Sequence, residues 1–174
     1  MQILGGQAID WRAVVKKHGP MVWRTAYRLL GNHADTADCF QETFASALKV
    51  SRRQHVRNFS ALLARLATAR AIDRLRQRPH KSHASTDLTN LATIATDNPE
   101  PGKELQMQEL ADSLRKALSQ LPPQQAQVFC LRYLNDMSYR RIAKQLGIKT
   151  NTAGVLLHRA REKLRELLEK AAVI

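Results

Sequence analysis

A chain of 174 residues and 19.7 kDa holds one or two domains and is too short for a large multi-layer enzyme. Lys plus Arg number 28 against 15 Asp plus Glu, a net charge of +13, so a polyanion is the expected partner. Apolar residues make up 44%, with only seven Gly and six Pro, which excludes global disorder and favours helix over a β-sandwich or barrel. No apolar run approaches the ~18 residues of a membrane span, so membrane insertion is not expected. Met1–Gly6 fits neither a signal peptide nor a lipidation motif, and the expected compartment is the cytoplasm. Cys39 and Cys130, far apart in apolar neighbourhoods, read as two buried free thiols.

Charge divides the chain. Residues 1–78 carry 14 basic and 5 acidic side chains, residues 79–105 carry 2 and 4, and residues 106–174 carry 12 and 6. The middle stretch is rich in Ser, Thr, Asn, Asp and Pro, with few large apolar groups to offset the entropy of ordering it. The expected fold class is all-α: two small helical domains joined by a flexible linker, 79–105. Within the linker, Leu88, Leu91 and Ile94 have the spacing of a short helical turn.

In the first domain, apolar residues recur at helical spacing from Trp11 to Leu30, with Gly19-Pro20 as a break and Gly31-Asn32 as a stop. A further helix is capped by Asp35 or Thr36. Its apolar stripe includes Phe40, Phe44, Ala47 and Leu48, and beside it run Asp38, Gln41 and Glu42, as a solvated face or a partner site. A basic loop, 49–58, precedes a helix from about Ser60 to Gln77. There Arg70, Arg74 and Arg78 follow each other by four, with Arg65 and Arg76 nearby. Arginines at one-turn intervals repel each other unless an anion neutralises them, so the ridge is a solvated charge run or a phosphate-binding face. Phe59 suits base stacking or a hydrophobic staple at the helix start.

The second domain, 106–174, reads as a four-helix unit. Leu121 ends one helix, and the first of Pro122-Pro123 begins the next. Ser138 caps a short helix with Ile142 and Leu146 facing inward; Ala143 and Gly147 permit a close crossing and a tight turn, and Ile148 plugs the corner. The final helix starts near Thr150 or Asn151. Its apolar stripe is Ala153, Leu156, Leu157, Ala160, Leu164, Leu167 and Leu168, and its other side carries Asn151, Gly154, Val155 and His158, flanked by Arg159 and Arg161. This is the anatomy of a DNA-binding helix-turn-helix, though a plain helical hairpin shares its periodicity.

Five blocks in order carry a family resemblance: Asp38-x-x-Gln41-Glu42-Thr43-Phe44; Ile72-Asp73-Arg74-Leu75-Arg76; Leu121-Pro122-Pro123; Ser138-Tyr139-x-x-Ile142-Ala143; and Leu157-His158-Arg159-Ala160-Arg161-x-Lys163-Leu164. Together they resemble a bacterial RNA polymerase sigma factor of the extracytoplasmic-function type. The resemblance implies a non-catalytic transcription initiation factor with no catalytic residue, metal or cofactor. Its implied partners are core RNA polymerase, promoter DNA and an anti-sigma factor. Asp38, Gln41, Glu42 and Phe44 would dock on the coiled coil of the largest polymerase subunit. Asn58, Phe59, Arg70, Arg74, Arg76 and Arg78 belong to the part that recognises the −10 element. Arg132, Tyr139, Arg140, Arg141, Asn151, Thr152, Gly154, Val155, His158, Arg159 and Arg161 belong to the part that recognises the −35 element.

Departures from the family pattern shape specificity. Leu62 stands where Trp is common, and Arg70 replaces a core leucine, so it must snorkel or adjust the ridge. Arg140 and Arg141 replace acidic residues. In the recognition helix Ala153-Gly154-Val155-Leu156 lacks the usual Lys and Arg, removing the commonest bidentate reader of guanine. Two other readings remain. A stand-alone helix-turn-helix regulator would share the second domain but would not need the Asp38–Phe44 stripe. A small nucleic-acid enzyme lacks support, with no Gly-rich phosphate loop, no His-Glu-x-x-His and no Cys-x-x-Cys; His80 and His83 in the linker read as solvent-exposed.

Overall fold

A computed structural model describes residues 9–77 and 101–172, all of their regular structure being helical. The helices are α1 (Trp11–Leu30), α2 (His33–Arg53), α3 (Phe59–Gln77), α4 (Pro101–Gln120), α5 (Pro123–Tyr133), α6 (Tyr139–Leu146) and α7 (Thr150–Ala172). Arg78, His80, His83 and the Leu88–Leu91–Ile94 turn lie outside the described residues, as do residues 1–8. The expected linker overlaps the start of α4, which begins at Pro101.

Local chemistry fixes most of the ends. Asp10 caps α1 through Oδ1, which accepts from the Ala13 N–H at 3.0 Å. The break expected at Gly19-Pro20 is absent, and α1 runs through Pro20 as one helix. An interior proline costs about 3 kcal/mol, which the packing of α1 against α2 and α3 offsets. Gly19 is buried there, and a Cβ on it would stand 3.5 Å from the Phe40 ring. The cap of α2 lies upstream of the expected Asp35 or Thr36: Asn32 Oδ1 accepts from the Asp35 N–H at 2.9 Å, and Asn32 Nδ2 donates to the Asp35 carboxylate at 2.9 Å. Asp35 sits in the first turn, where a carboxylate also favours the helix dipole, so its sequence signature resembles a cap. α2 continues to Arg53, shortening the basic loop to 54–58. Pro122 stands at the N-cap position of α5 without a side-chain cap, leaving Pro123 as its first helical residue, one place later than expected.

The two helical units pack on one another, and α3 is the hinge of that packing. It buries Leu62, Leu63 and Ala67 against the first unit and Ala61, Ala64, Ala71, Ile72 and Leu75 in clusters shared with the second. One cluster joins Leu29, Leu30, Ile72 and Leu75 to Leu118, Leu121 and Leu164; another joins Ala61 and Ala64 to Val128, Leu131, Ile142 and Leu157. The alanines let α5 and α6 approach α3 closely.

Polar latches span the same seam. Thr25 Oγ1 donates to Asn135 Oδ1 at 2.9 Å, Arg76 Nη1 to the Leu121 carbonyl at 3.2 Å, and Arg115 Nε to the Arg28 carbonyl at 3.1 Å. Cys39 and Cys130 are buried free thiols, and burial pushes Cys130 up to about 12.

Gly31 closes α1 in the left-handed region at φ 71°, its N–H donating to the Tyr27 carbonyl at 2.8 Å. A Cβ there would meet the Arg115 guanidinium at 2.8 Å. Gly31→Ala is therefore expected to destabilise the chain by about 1–2 kcal/mol through backbone strain alone, with added loss as Arg115 is displaced. Urea unfolding checks it; a midpoint equal to that of the unsubstituted chain would show that neither constraint matters.

Candidate functional site

The stripe on α2 is a compact acidic face. Asp38, Gln41 and Glu42 are exposed, whereas Phe44 is half-buried and packs on Phe40 at 4.9 Å between ring centroids. Across from them, Arg74 of α3 brings the carboxylates together. Its Nη2 lies 2.6 Å from Glu42 Oε1, and its Nη1 lies 3.6 Å from Asp38 and 3.7 Å from Asp35. Arg70, one turn earlier, donates from Nη2 to Ser46 Oγ at 3.2 Å. The arginine ridge expected along α3 is thus turned onto α2. A four-residue spacing fixes a common face of the helix but not which neighbour that face meets. Arg76 takes a third course, to the Leu121 carbonyl in the second unit. Arg70 remains exposed, as its replacement of a core leucine required.

The loop before α3 uses its two candidate residues structurally. Asn58 Oδ1 accepts from the Ala61 N–H at 2.9 Å, which caps α3. Phe59, the first residue of α3, is half-exposed and sits edge-on to Trp11 of α1 at 5.6 Å, packed against the core of the first unit.

The helix-turn-helix forms as read from the sequence. The Arg141 N–H donates to Ser138 Oγ at 3.4 Å, and Gly147 ends α6 at φ 65°. The Ile148 N–H then donates to the Ala143 carbonyl at 3.0 Å. α7 buries Ala153, Leu157, Ala160 and Leu164 and leaves Asn151, Thr152, Val155, His158, Arg159 and Arg161 exposed. Val155 is 48% exposed. A Cβ on Gly154 would meet nothing within 4 Å, so no packing inside the chain demands glycine there. Arg132 donates from Nη1 to the Met137 carbonyl at 3.3 Å and lies 5.6 Å from the centroid of the Tyr139 ring, which puts a cation and an exposed phenol side by side. Arg140 and Arg141 are exposed at the start of α6.

The packing of the two units brings α6 to face the 54–58 loop, so the basic surfaces of both units border a single cleft. Arg115 and Asn135, which hold the seam, carry no motif and were not legible in the sequence. Among the described residues no group of three or more His, Cys, Asp and Glu side chains could hold a metal ion, and no helix is long and apolar enough to cross a membrane.

Comparison with known proteins places this geometry. Residues 14–80 match the family described as Sigma-70 region 2, and residues 111–164 match Sigma-70, region 4. The chain is 30% identical over 162 residues to the ECF RNA polymerase sigma factor SigE of Mycolicibacterium smegmatis, covering 92% of this chain but 62% of that protein. It is 32% identical over 155 residues to the RNA polymerase sigma factor CarQ of Myxococcus xanthus, covering 87% of this chain and 85% of CarQ. Among solved structures, CnrH in complex with the cytosolic domain of CnrY has a similar fold, with a TM-score of 0.61 at 23% identity over 92% of this chain and 90% of that one. So does the sigma factor RpoE in complex with the anti-sigma factor NepR from Bartonella quintana, at 0.57 and 21% over 92% and 97%.

Proposed function

This chain belongs to the extracytoplasmic-function class of RNA polymerase sigma factors, and from that premise we propose which of its surfaces performs each part of initiation. A sigma factor is a non-enzymatic initiation factor that binds core RNA polymerase and directs it to promoter DNA. Residues 1–78 are assigned to core binding and the −10 element, 79–105 to the linker, and 106–174 to the −35 element. The cytoplasm, where polymerase and DNA are, is the assigned compartment.

The observation that carries the assignment is the acidic face. Asp38 and Glu42 are exposed beside Gln41 on one helix, and Arg74 gathers them without covering them. Such a patch suits a basic helical surface on the enzyme, with Phe44 as an apolar support behind it. Because Arg70 and Arg74 face α2, we assign them to shaping this patch and leave −10 contacts to the 54–58 loop and to Arg76, once Arg76 is released from Leu121. Co-elution of the chain with core polymerase in size-exclusion chromatography tests the assignment, and separate elution at micromolar concentrations would refute it.

Engagement of two promoter elements requires the units to separate, because α6 and the 54–58 loop face each other across the seam. An anti-sigma factor that holds them together would keep the chain inactive. RpoE is in complex with the anti-sigma factor NepR in its solved structure, and we carry the partner class, an anti-sigma factor, over to this chain.

On the −35 side, we assign exposed Val155 to a methyl-rich contact with thymine and Arg132, Tyr139 and Arg159 to phosphates, a reading supported by the Arg132 guanidinium over the exposed Tyr139 ring. Upstream recognition then rests on thymine methyls, phosphates and DNA shape. Binding-site selection with the holoenzyme is expected to return a T-rich upstream motif. Invariant guanines contacted from α7 would refute this readout.

A further inference from the structure

The cleft between the two units is basic on both walls. The first unit contributes the 54–58 loop and the start of α3, with Arg57 and Arg65; the second contributes Ser138 and α6, with Arg140, Arg141 and Lys144. None of its described lining residues is a carboxylate, although the chain carries 15 of them. Five cations with no counter-charge among the described lining residues repel one another, and the packing of the two units brings them together. Arg65 sharpens the point. It is half-buried, its Nε is buried without a hydrogen-bond partner, and burial lowers its affinity for its proton. A guanidinium nitrogen in that state lacks an acceptor that nothing else in the described chain supplies.

The size of the cleft selects the ligand class. Its volume of about 570 Å³ is in the range of small-molecule sites. Val56, Ala61 and Leu62 give it an apolar floor. We propose that this cleft binds a compact oligophosphate, which bridges the two units and holds the chain closed. Because the charged groups come from both units, the ligand favours the packed state over a separated one by its differential affinity for the two. Arg140 and Arg141 are also candidate promoter contacts, so oligophosphate and promoter compete for them.

The test uses the free full-length chain without polymerase, so its outcome is independent of the initiation role. Inorganic tripolyphosphate is titrated into the chain by calorimetry at low ionic strength. One saturable site per chain is expected. The paired substitution Arg57→Gln with Arg141→Gln, one from each wall, should weaken binding at least tenfold. Lys16→Gln with Lys17→Gln, equal in charge change but on exposed α1, should weaken it less than twofold. Tripolyphosphate should also raise the Tm of the unsubstituted chain and leave that of the cleft variant unchanged. A parallel titration with a nucleoside 5′-triphosphate identifies the source of the ligand: equal affinity assigns recognition to the phosphate chain, and tenfold tighter binding assigns it to a nucleotide. Absence of saturable binding, or equal losses in the two variants, would overturn the proposal.

Discussion

Charge reversal of Asp38 and Glu42 to Lys is expected to weaken binding of core polymerase by about a hundredfold or more, on the order of 3 kcal/mol. Both side chains are exposed, at 64% and 46%, so little of the fold depends on them, and the double variant should remain as helical as the parent. Two effects act together at the interface. The attraction of two carboxylates for a basic surface is lost, and two ammonium groups are placed where cations are already gathered, Arg74 among them. A control with the same change in net charge separates this from long-range effects. Glu109→Lys with Glu169→Lys alters exposed sites on α4 and α7 and should shift the affinity less than threefold. Biolayer interferometry against core polymerase reads both variants. Equal losses in the two would mean that net charge, and not the α2 face, governs association.

The largest expected loss of stability is at Leu121. It is 1% exposed, lies in the cluster shared by the two units, and receives the Arg76 guanidinium on its carbonyl. Leu121→Ala leaves a cavity there, for a cost of about 2–5 kcal/mol. In a chain of this size that corresponds to a fall in Tm of roughly 5–15 °C. The form of the transition carries further information. Because the cluster joins Leu30 and Leu75 of the first unit to Leu118 and Leu164 of the second, a single cooperative transition should move as a whole. Calorimetry that instead showed two transitions, with only the later helices affected, would mean that the units are stable independently of their packing.

The legible and illegible parts of this chain divide along a physical line. Local signals were sufficient for the helix-turn-helix. Ser138, Ala143, Gly147 and Ile148 act within a few residues of one another, and each occupies the position its chemistry suggested. The acidic stripe on α2 was equally plain, because helical spacing alone aligns Asp38, Gln41 and Glu42. What the sequence did not reveal depends on neighbours distant in the chain. Pro20 reads as a break, but α1 continues through it, packed against α2 and α3. Arg70 and Arg74 read as a solvated charge run or a phosphate-binding face, and their contacts with Ser46, Asp38 and Glu42 come from another helix. Ala61, Ala64 and Ala71 of α3 carry no local mark of a partner, and only tertiary structure shows them as the seam on which the second unit rests. Arg115 and Asn135 are single polar residues whose partners lie 87 and 110 positions away, beyond the reach of any local pattern.

Run-off transcription from a genomic library with purified core polymerase tests the central claim most directly. With the chain present, discrete transcripts are predicted that core polymerase alone does not make, and the Asp38→Lys, Glu42→Lys variant should abolish them. A transcript pattern identical with and without the chain, or one undiminished by that variant, would contradict the account.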